Sequence, residues 1–168
     1  MKELGVEFII VEPSSDESSS HPDPRQRVIM NAEAKARSVS GQFSDALIIG
    51  ADTIVFLDDM FFGKPVDKED AKKMLEQLSG KNHQVYTGLA ILKTSTGMML
   101  SKVSCTDVRF KRLSQEVIDA YVASGEPLDK AGAYGIQGDG SVFIADIVGS
   151  YSNVVGLPLE LLREMLQI

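Results

Sequence analysis

A chain of 168 residues with 43% hydrophobic and 24% charged residues has the make-up of a folded domain, and excludes a disordered or fibrous chain. Its formal net charge of -7 excludes sequence-independent nucleic-acid binding, which needs a surplus of Lys and Arg against the phosphates. The single cysteine, Cys105, excludes an internal disulfide framework, and no stretch reaches the roughly 20 apolar residues of a membrane helix. One domain over residues 1–168, in the cytoplasm and with no membrane contact, is the expectation.

In chain order, residues 6–11 (VEFIIV) are rich in β-branched side chains and read as a strand that ends before Pro13. Residues 14–24 (SSDESSSHPDP) are polar and proline-punctuated, the composition of a surface loop. Two adjacent acids in it, Asp16 and Glu17, suit either a metal or plain solvation. From Pro24 to about Ser40 a helix is expected, because Val28, Ile29, Ala32 and Ala36 fall on one face and Pro suits a first turn. Residues 46–49 (ALII) read as a buried strand that runs into Gly50-Ala51-Asp52-Thr53, with residues 54–57 continuing extended and Asp58-Asp59 turning. Asp67 caps an amphipathic helix through Leu78 whose inner face carries Ala71, Met74, Leu75 and Leu78.

Residues 85–92 and 98–109 read as a long antiparallel pair joined by the turn residues 94–97 (TSTG). Ser114 caps the next helix, which carries Val117, Ile118, Tyr121 and Val122. After it comes a glycine-rich run, 129–140 (DKAGAYGIQGDG), then a strand over 141–148 and a terminal helix over 157–166. Strands interspersed with helices predict an α/β domain on a mixed sheet.

Several of these residues suit chemistry. A carboxylate on a buried strand, Asp52, either binds a divalent cation and accepts a proton from water, or caps a turn. Thr53 beside it is a polar contact or a strand residue. In Gly63-Lys64-Pro65 the glycine admits a ligand and the lysine pairs with phosphate, although a lone loop lysine, like Lys35 on its helix, is as readily a solvated one. The glycine-rich run reads as a functional loop, since twelve such residues in a compact domain exceed an ordinary connection. His21 and His83 are too isolated for a metal constellation, and no Ser/His/Asp or Cys/His arrangement is suggested.

Taken together, GADTIV (50–55), GKPVDKEDAKKML (63–75), LSGKNHQVYTG (78–88), SGEPLDKAGAYGIQG (124–138) and GSYSNVVGLP (149–158) resemble the ordered signature blocks of the Maf family, with NAEAKA (31–36) as a further block. The resemblance covers the chain from about Leu4 onward. It implies an elongated mixed-sheet α/β fold similar to inosine triphosphatases. The implied activity is hydrolysis of nucleoside triphosphates, of the dTTP and UTP type, to monophosphate and pyrophosphate with a divalent metal, Mg or Mn. By the same resemblance, Asp52 takes the proton of the attacking water, Lys35 and Lys64 meet the triphosphate, Thr53 and Gln137 bear on substrate choice, and Glu17 joins Asp52 at the metal. A homodimer is also implied. The family pattern opens with a strand and an S-x-S-P-R-R loop, and this sequence begins after it. Two expectations attach to that: an alternative of catalytically impaired nucleotide binding on the same fold, and self-association through the strand edge left open.

Overall fold

The computed structural model describes residues 4–15 and 19–167 of the chain. Helix α1 (Pro24–Ser40) starts where Asp23 accepts a hydrogen bond from the Arg25 backbone N–H at 2.8 Å, with proline in the first turn. Its apolar stripe, Val28, Ala32, Ala36 and Val39, is buried. Strand β1 (Leu47–Leu57) turns through Asp58 and Asp59, both at positive φ, into the short β2 (Met60–Phe62). Two residues in the left-handed region between paired strands make the tight hairpin that matches strand twist. Helix α2 (Lys68–Leu78) is capped by Asp67, as its sequence predicts. The long strands β3 (Asn82–Lys93) and β4 (Met98–Phe110) follow, then helix α3 (Gln115–Ser124), three short 3-10 turns, strand β5 (Ile144–Val148), and helices α4 (Tyr151–Val155) and α5 (Leu159–Leu166).

The strands order as β2-β1-β3-β4-β5. The α/β class holds, but every pairing among the described residues is antiparallel, so the mixed character expected of the sheet is not found in them. Helix α1 covers one face, where Ala32, Ala36 and Val39 pack on Ile48, Ala90 and Leu92. On the opposite face Leu162 and Met165 of α5 pack on Leu89 and Ile91. The other half of the molecule holds the largest cluster, in which Leu75 and Leu78 of α2 and Ile118 and Val122 of α3 meet Val55, Val85 and Phe110 of the sheet. Four fully buried side chains of that kind contribute about 1.5–3 kcal/mol each relative to exposure.

Three elements differ from their sequence reading. Residues 6–11 form no strand: they run along an apolar groove beside Ala46–Ile49, with Ile9 73% and Ile10 89% exposed. Their β-branched composition suits a pleated surface, but with no ladder partner it does not make one. Asp52 sits in the middle of the eleven-residue β1, not at a strand end, because the strand continues unbroken past the glycine. Residues 139–143 wind into a 3-10 turn, so β5 begins only at Ile144, while the expected terminal helix starts at Leu159, after Pro158, and follows the separate short α4.

Candidate active site

The site follows from how closely α1 lies on the sheet. A Cβ built on Gly50 would come within 2.2 Å of the Ala32 carbonyl oxygen, and one on Gly88 within 2.4 Å of the Val28 carbonyl oxygen. Only glycine lets the helix backbone settle at this depth. Gly88 is the register partner of Asp52, so the helix is pressed down directly beside the carboxylate. Asn31 and Lys35, four residues apart on one face of α1, then both reach it.

Asp52 is 3% exposed. Lys35 Nζ lies 2.6 Å from its Oδ1, and Asn31 Nδ2 donates to its Oδ2 at 3.0 Å. A charge this deep needs a paired partner and further hydrogen bonds to persist, and both are present. The Asn31 side-chain oxygen also accepts from the Ser19 backbone N–H at 3.1 Å, which ties the serine-rich segment to the same point.

On the other face of β1, the Thr53 hydroxyl lies 2.9 Å from the Thr87 hydroxyl, which donates to the Asn153 carbonyl at 3.2 Å. This chain of hydroxyls links β1, β3 and α4. β2 pairs with β1 only from Val55 to Leu57, so the stretch around Asp52 and Thr53 has β3 alone as a sheet neighbour among the described residues. Against that open edge lies a cavity of about 500 Å³. Lys35, Asp52 and Thr53 form one wall, Gly63 and Lys64 a rim, and residues 134–138 with Glu126 and Lys130 the facing wall. The Gly132 backbone N–H donates to the Gly63 carbonyl at 3.0 Å, joining the rim to the glycine-rich run. Lys130 holds the Asp129 carboxyl below the usual carboxylate range through a hydrogen bond, and Lys64 adds a smaller pull the same way.

Five of the six residues singled out in sequence, Asp52, Lys35, Lys64, Thr53 and Gln137, thus line one cavity. Glu17, and Asp16 beside it, fall outside the described residues. His83 is buried in the core, where Nε2 meets Tyr134 Oη at 2.8 Å and burial lowers its pKa to about 4. His21 lies at the start of α1, where its Nδ1 accepts from the Asp23 backbone N–H. Among the described residues no group of three or more His, Cys, Asp and Glu gathers to hold a metal ion. A buried carboxylate such as Asp52 suits a hard cation by its chemistry, since Mg²⁺ is commonly held by one or two carboxylates plus substrate phosphates.

Sequence reasoning did not single out Asn31, which bonds Asp52, or Glu126, which lines the cavity and is bonded by Tyr121. For Asn31 the signal was available: a short polar amide on an otherwise apolar helix stripe, one turn before Lys35. The larger groove beside Ala46–Ile49, about 1250 Å³, is lined almost wholly by apolar side chains and holds no comparable chemistry.

Comparison with known proteins bears on this arrangement. The sequence pattern of the family described as Maf-like protein matches residues 1–168. A dTTP/UTP pyrophosphatase of Clostridium botulinum (strain Kyoto / Type A2) is 47% identical over 171 residues, covering 99% of this chain and 88% of the relative. Proteins of the same description from Symbiobacterium thermophilum and Dictyoglomus thermophilum are 46% and 40% identical, each over 99% of this chain and over 85% and 87% of their own lengths.

Proposed function

Since the chain belongs to the Maf-like protein family, we propose that its cavity hydrolyses dTTP and UTP to the nucleoside monophosphate and pyrophosphate. The observation that carries this reading is the buried Asp52 carboxylate, held at both oxygens by Lys35 and Asn31 on a cavity rimmed by Lys64. A triphosphate brings several negative charges, so a site for it needs cations at the phosphates and a positioned base for water.

In this mechanism the triphosphate lies along the Lys35 and Lys64 side of the cavity and the base toward residues 134–138. The phosphates give Lys35 a second anion to pair with, which loosens its hold on Asp52 Oδ1. Asp52 then accepts a proton as a water oxygen attacks the α-phosphorus. The bond from that phosphorus to the bridging oxygen breaks, and pyrophosphate leaves with the charge that Lys64 offsets. Asp52, with Glu17, would hold a divalent Mg or Mn ion, which supplies charge neutralisation at the phosphates when bound. Thr53, fixed by the Thr87 hydroxyl, and Gln137 on the facing wall discriminate among bases.

The reading extends to the setting. No helix among the described residues is long and apolar enough to cross a membrane, and a cytoplasmic nucleotide pool is the substrate source we propose. We also propose a homodimer, for which the apolar groove at the open edge of β1 offers a face; light scattering that returns a monomer mass at assay concentration rejects it. The function itself is tested by pyrophosphate release from dTTP, UTP, CTP and ATP with Mg or Mn. Turnover of dTTP and UTP is expected; release from none of them rejects the enzyme reading.

A further inference from the structure

The wall of the cavity that faces Asp52 has almost no regular secondary structure to hold it, yet its backbone donors converge on one side chain. Glu126, in the 3-10 turn after α3, accepts a hydrogen bond from Tyr121 Oη at 3.0 Å on one oxygen and from the Asp139 backbone N–H at 3.1 Å on the other. Tyr121 Oη in turn accepts from the Gly135 backbone N–H at 3.1 Å. The carboxylate therefore grips both ends of the segment Gly135–Asp139, directly at one end and through Tyr121 at the other. Gly138 lies so close that a Cβ there would come within 2.1 Å of Glu126 Oε1, so the segment is wrapped around the carboxylate. Gln137, exposed on the cavity wall, sits between the two grips.

Glu126 has a hydroxyl and a backbone N–H as its partners, where Asp52 has the Lys35 ammonium, so Glu126 is not assigned to the phosphate machinery. One Glu126 oxygen takes the Tyr121 hydroxyl of α3 and the other the Asp139 N–H of the loop. Its geometry is that of a brace, and the braced segment carries the amide that reads the base. We propose that Glu126, acting with Tyr121, is a specificity-positioning residue: it fixes the backbone of residues 135–139 and thereby the distance and angle at which Gln137 meets the nucleobase. This rests on the nucleotide reading given above. A side-chain amide offers a donor beside an acceptor, and uracil and cytosine exchange acceptor for donor at their 4-position, so a displaced Gln137 weakens that distinction.

The experiment compares kcat/KM for UTP and CTP in wild type, Glu126→Gln, Tyr121→Phe and the double variant, together with amide hydrogen exchange over residues 135–139. Glutamine keeps the shape but has a single acceptor oxygen, so it can accept from only one of the Tyr121 hydroxyl and the Asp139 N–H. Phenylalanine removes the bridge to Gly135. Each single variant is expected to lower the UTP-to-CTP ratio about tenfold, the worth of one well-placed hydrogen bond, and to speed exchange at Gly135 and Asp139. The double variant is expected to be no worse than either single one, because both act on the same loop. UTP and CTP rates that fall by one common factor overturn the proposal, since they mark a general structural fault. Faster exchange with an unchanged ratio overturns it as well. If the wild-type chain releases pyrophosphate from neither nucleotide, the enzyme reading fails separately, and the ratio of calorimetric Kd values for UTP and CTP replaces kcat/KM. A UTP-to-CTP ratio of Kd values that rises in the variants upholds the brace, and one that stays constant, or binding of neither nucleotide, overturns it.

Discussion

The two walls of the cavity are built by opposite means. On one side strands β1 and β3 are pressed against α1 at Gly50 and Gly88, and the candidate site side chains Asp52, Asn31 and Lys35 stand on β1 and α1. On the other, residues 125–140 form short 3-10 turns with no ladder, pinned by single contacts: Gly132 to Gly63, Glu126 to Asp139, Tyr134 to His83. In the proposed function, chemistry at phosphorus falls to side chains on rigid elements, and base selection to a loop whose position depends on a few hydrogen bonds. Disturbing the first wall should therefore abolish turnover, and disturbing the second should change selectivity and stability.

The largest effect belongs to the first wall. Asp52→Asn keeps the shape and the reach of Asn31 and Lys35 but removes the proton acceptor, and pyrophosphate release is expected to fall about 10³-fold, in the usual range for loss of a positioned general base. Nucleotide binding measured by calorimetry should survive. Retention of more than a tenth of wild-type turnover would remove Asp52 from the role of base.

Second in size is a pH effect on the opposite wall. Burial holds His83 neutral, its pKa lowered from 6.5 to about 4, and its Nδ1 has no hydrogen-bond partner among the described residues. The charged form would bury one more unpaired donor. Because the folded pKa lies below the unfolded one, the unfolded chain binds the proton first. This contribution is thus complete above pH 6.5 and is lost as pH falls toward 4, by about 3 kcal/mol across that window. Urea midpoints of wild type should drop steeply between pH 6.5 and 4, and those of His83→Leu much less. Equal pH slopes in the two proteins would show that the latch between β3 and Tyr134 is not what acid releases.

Gly88→Ala returns to the first wall by way of packing. The added methyl meets the Val28 carbonyl of α1, which cannot turn away as a flexible side chain could. A loss of about 2 kcal/mol is expected, within the range for overpacking a tight contact, read as a lowered Tm. Turnover should fall further than stability, since the helix that lifts carries Asn31 and Lys35. An unchanged Tm would mean that the helix has slack at this crossing.

This contrast also explains what the sequence could reveal. Helix α1 announces itself through Pro24 in its first turn, α2 and α3 through caps at Asp67 and Ser114, all three through apolar stripes, and the hairpin of β3 and β4 through its turn residues. These are local signals. The site residues Asp52, Lys35, Lys64, Thr53 and Gln137 came from ordered motifs, and the structure gathers them because α1 and the glycine-rich run fold onto the same edge of β1. Residues 6–11 misled because strand composition does not supply a pairing partner. Glu126 was hidden for a related reason: its role depends on where the Gly135 and Asp139 amides arrive, which follows from a turn geometry that no periodicity encodes.

The smallest expected effect tests the joint between the walls and the serine-rich segment. Asn31 gives one hydrogen bond to Asp52 and takes one from Ser19, so Asn31→Ala removes a donor from a buried carboxylate and an acceptor from a backbone N–H at one stroke. About 1 kcal/mol in turnover, roughly a fivefold fall in kcat with KM little changed, is expected from the loss of one such bond when Lys35 remains. Asn31→Asp separates positioning from packing. It preserves volume and the acceptor for Ser19, but sets a carboxylate oxygen against Asp52 Oδ2, where a donor stood at 3.0 Å. If Asn31 only fills space, the aspartate variant should match wild type. If it orients Asp52, the aspartate should be worse than alanine, because a like charge at that distance drives the Asp52 carboxylate out of place rather than merely releasing it.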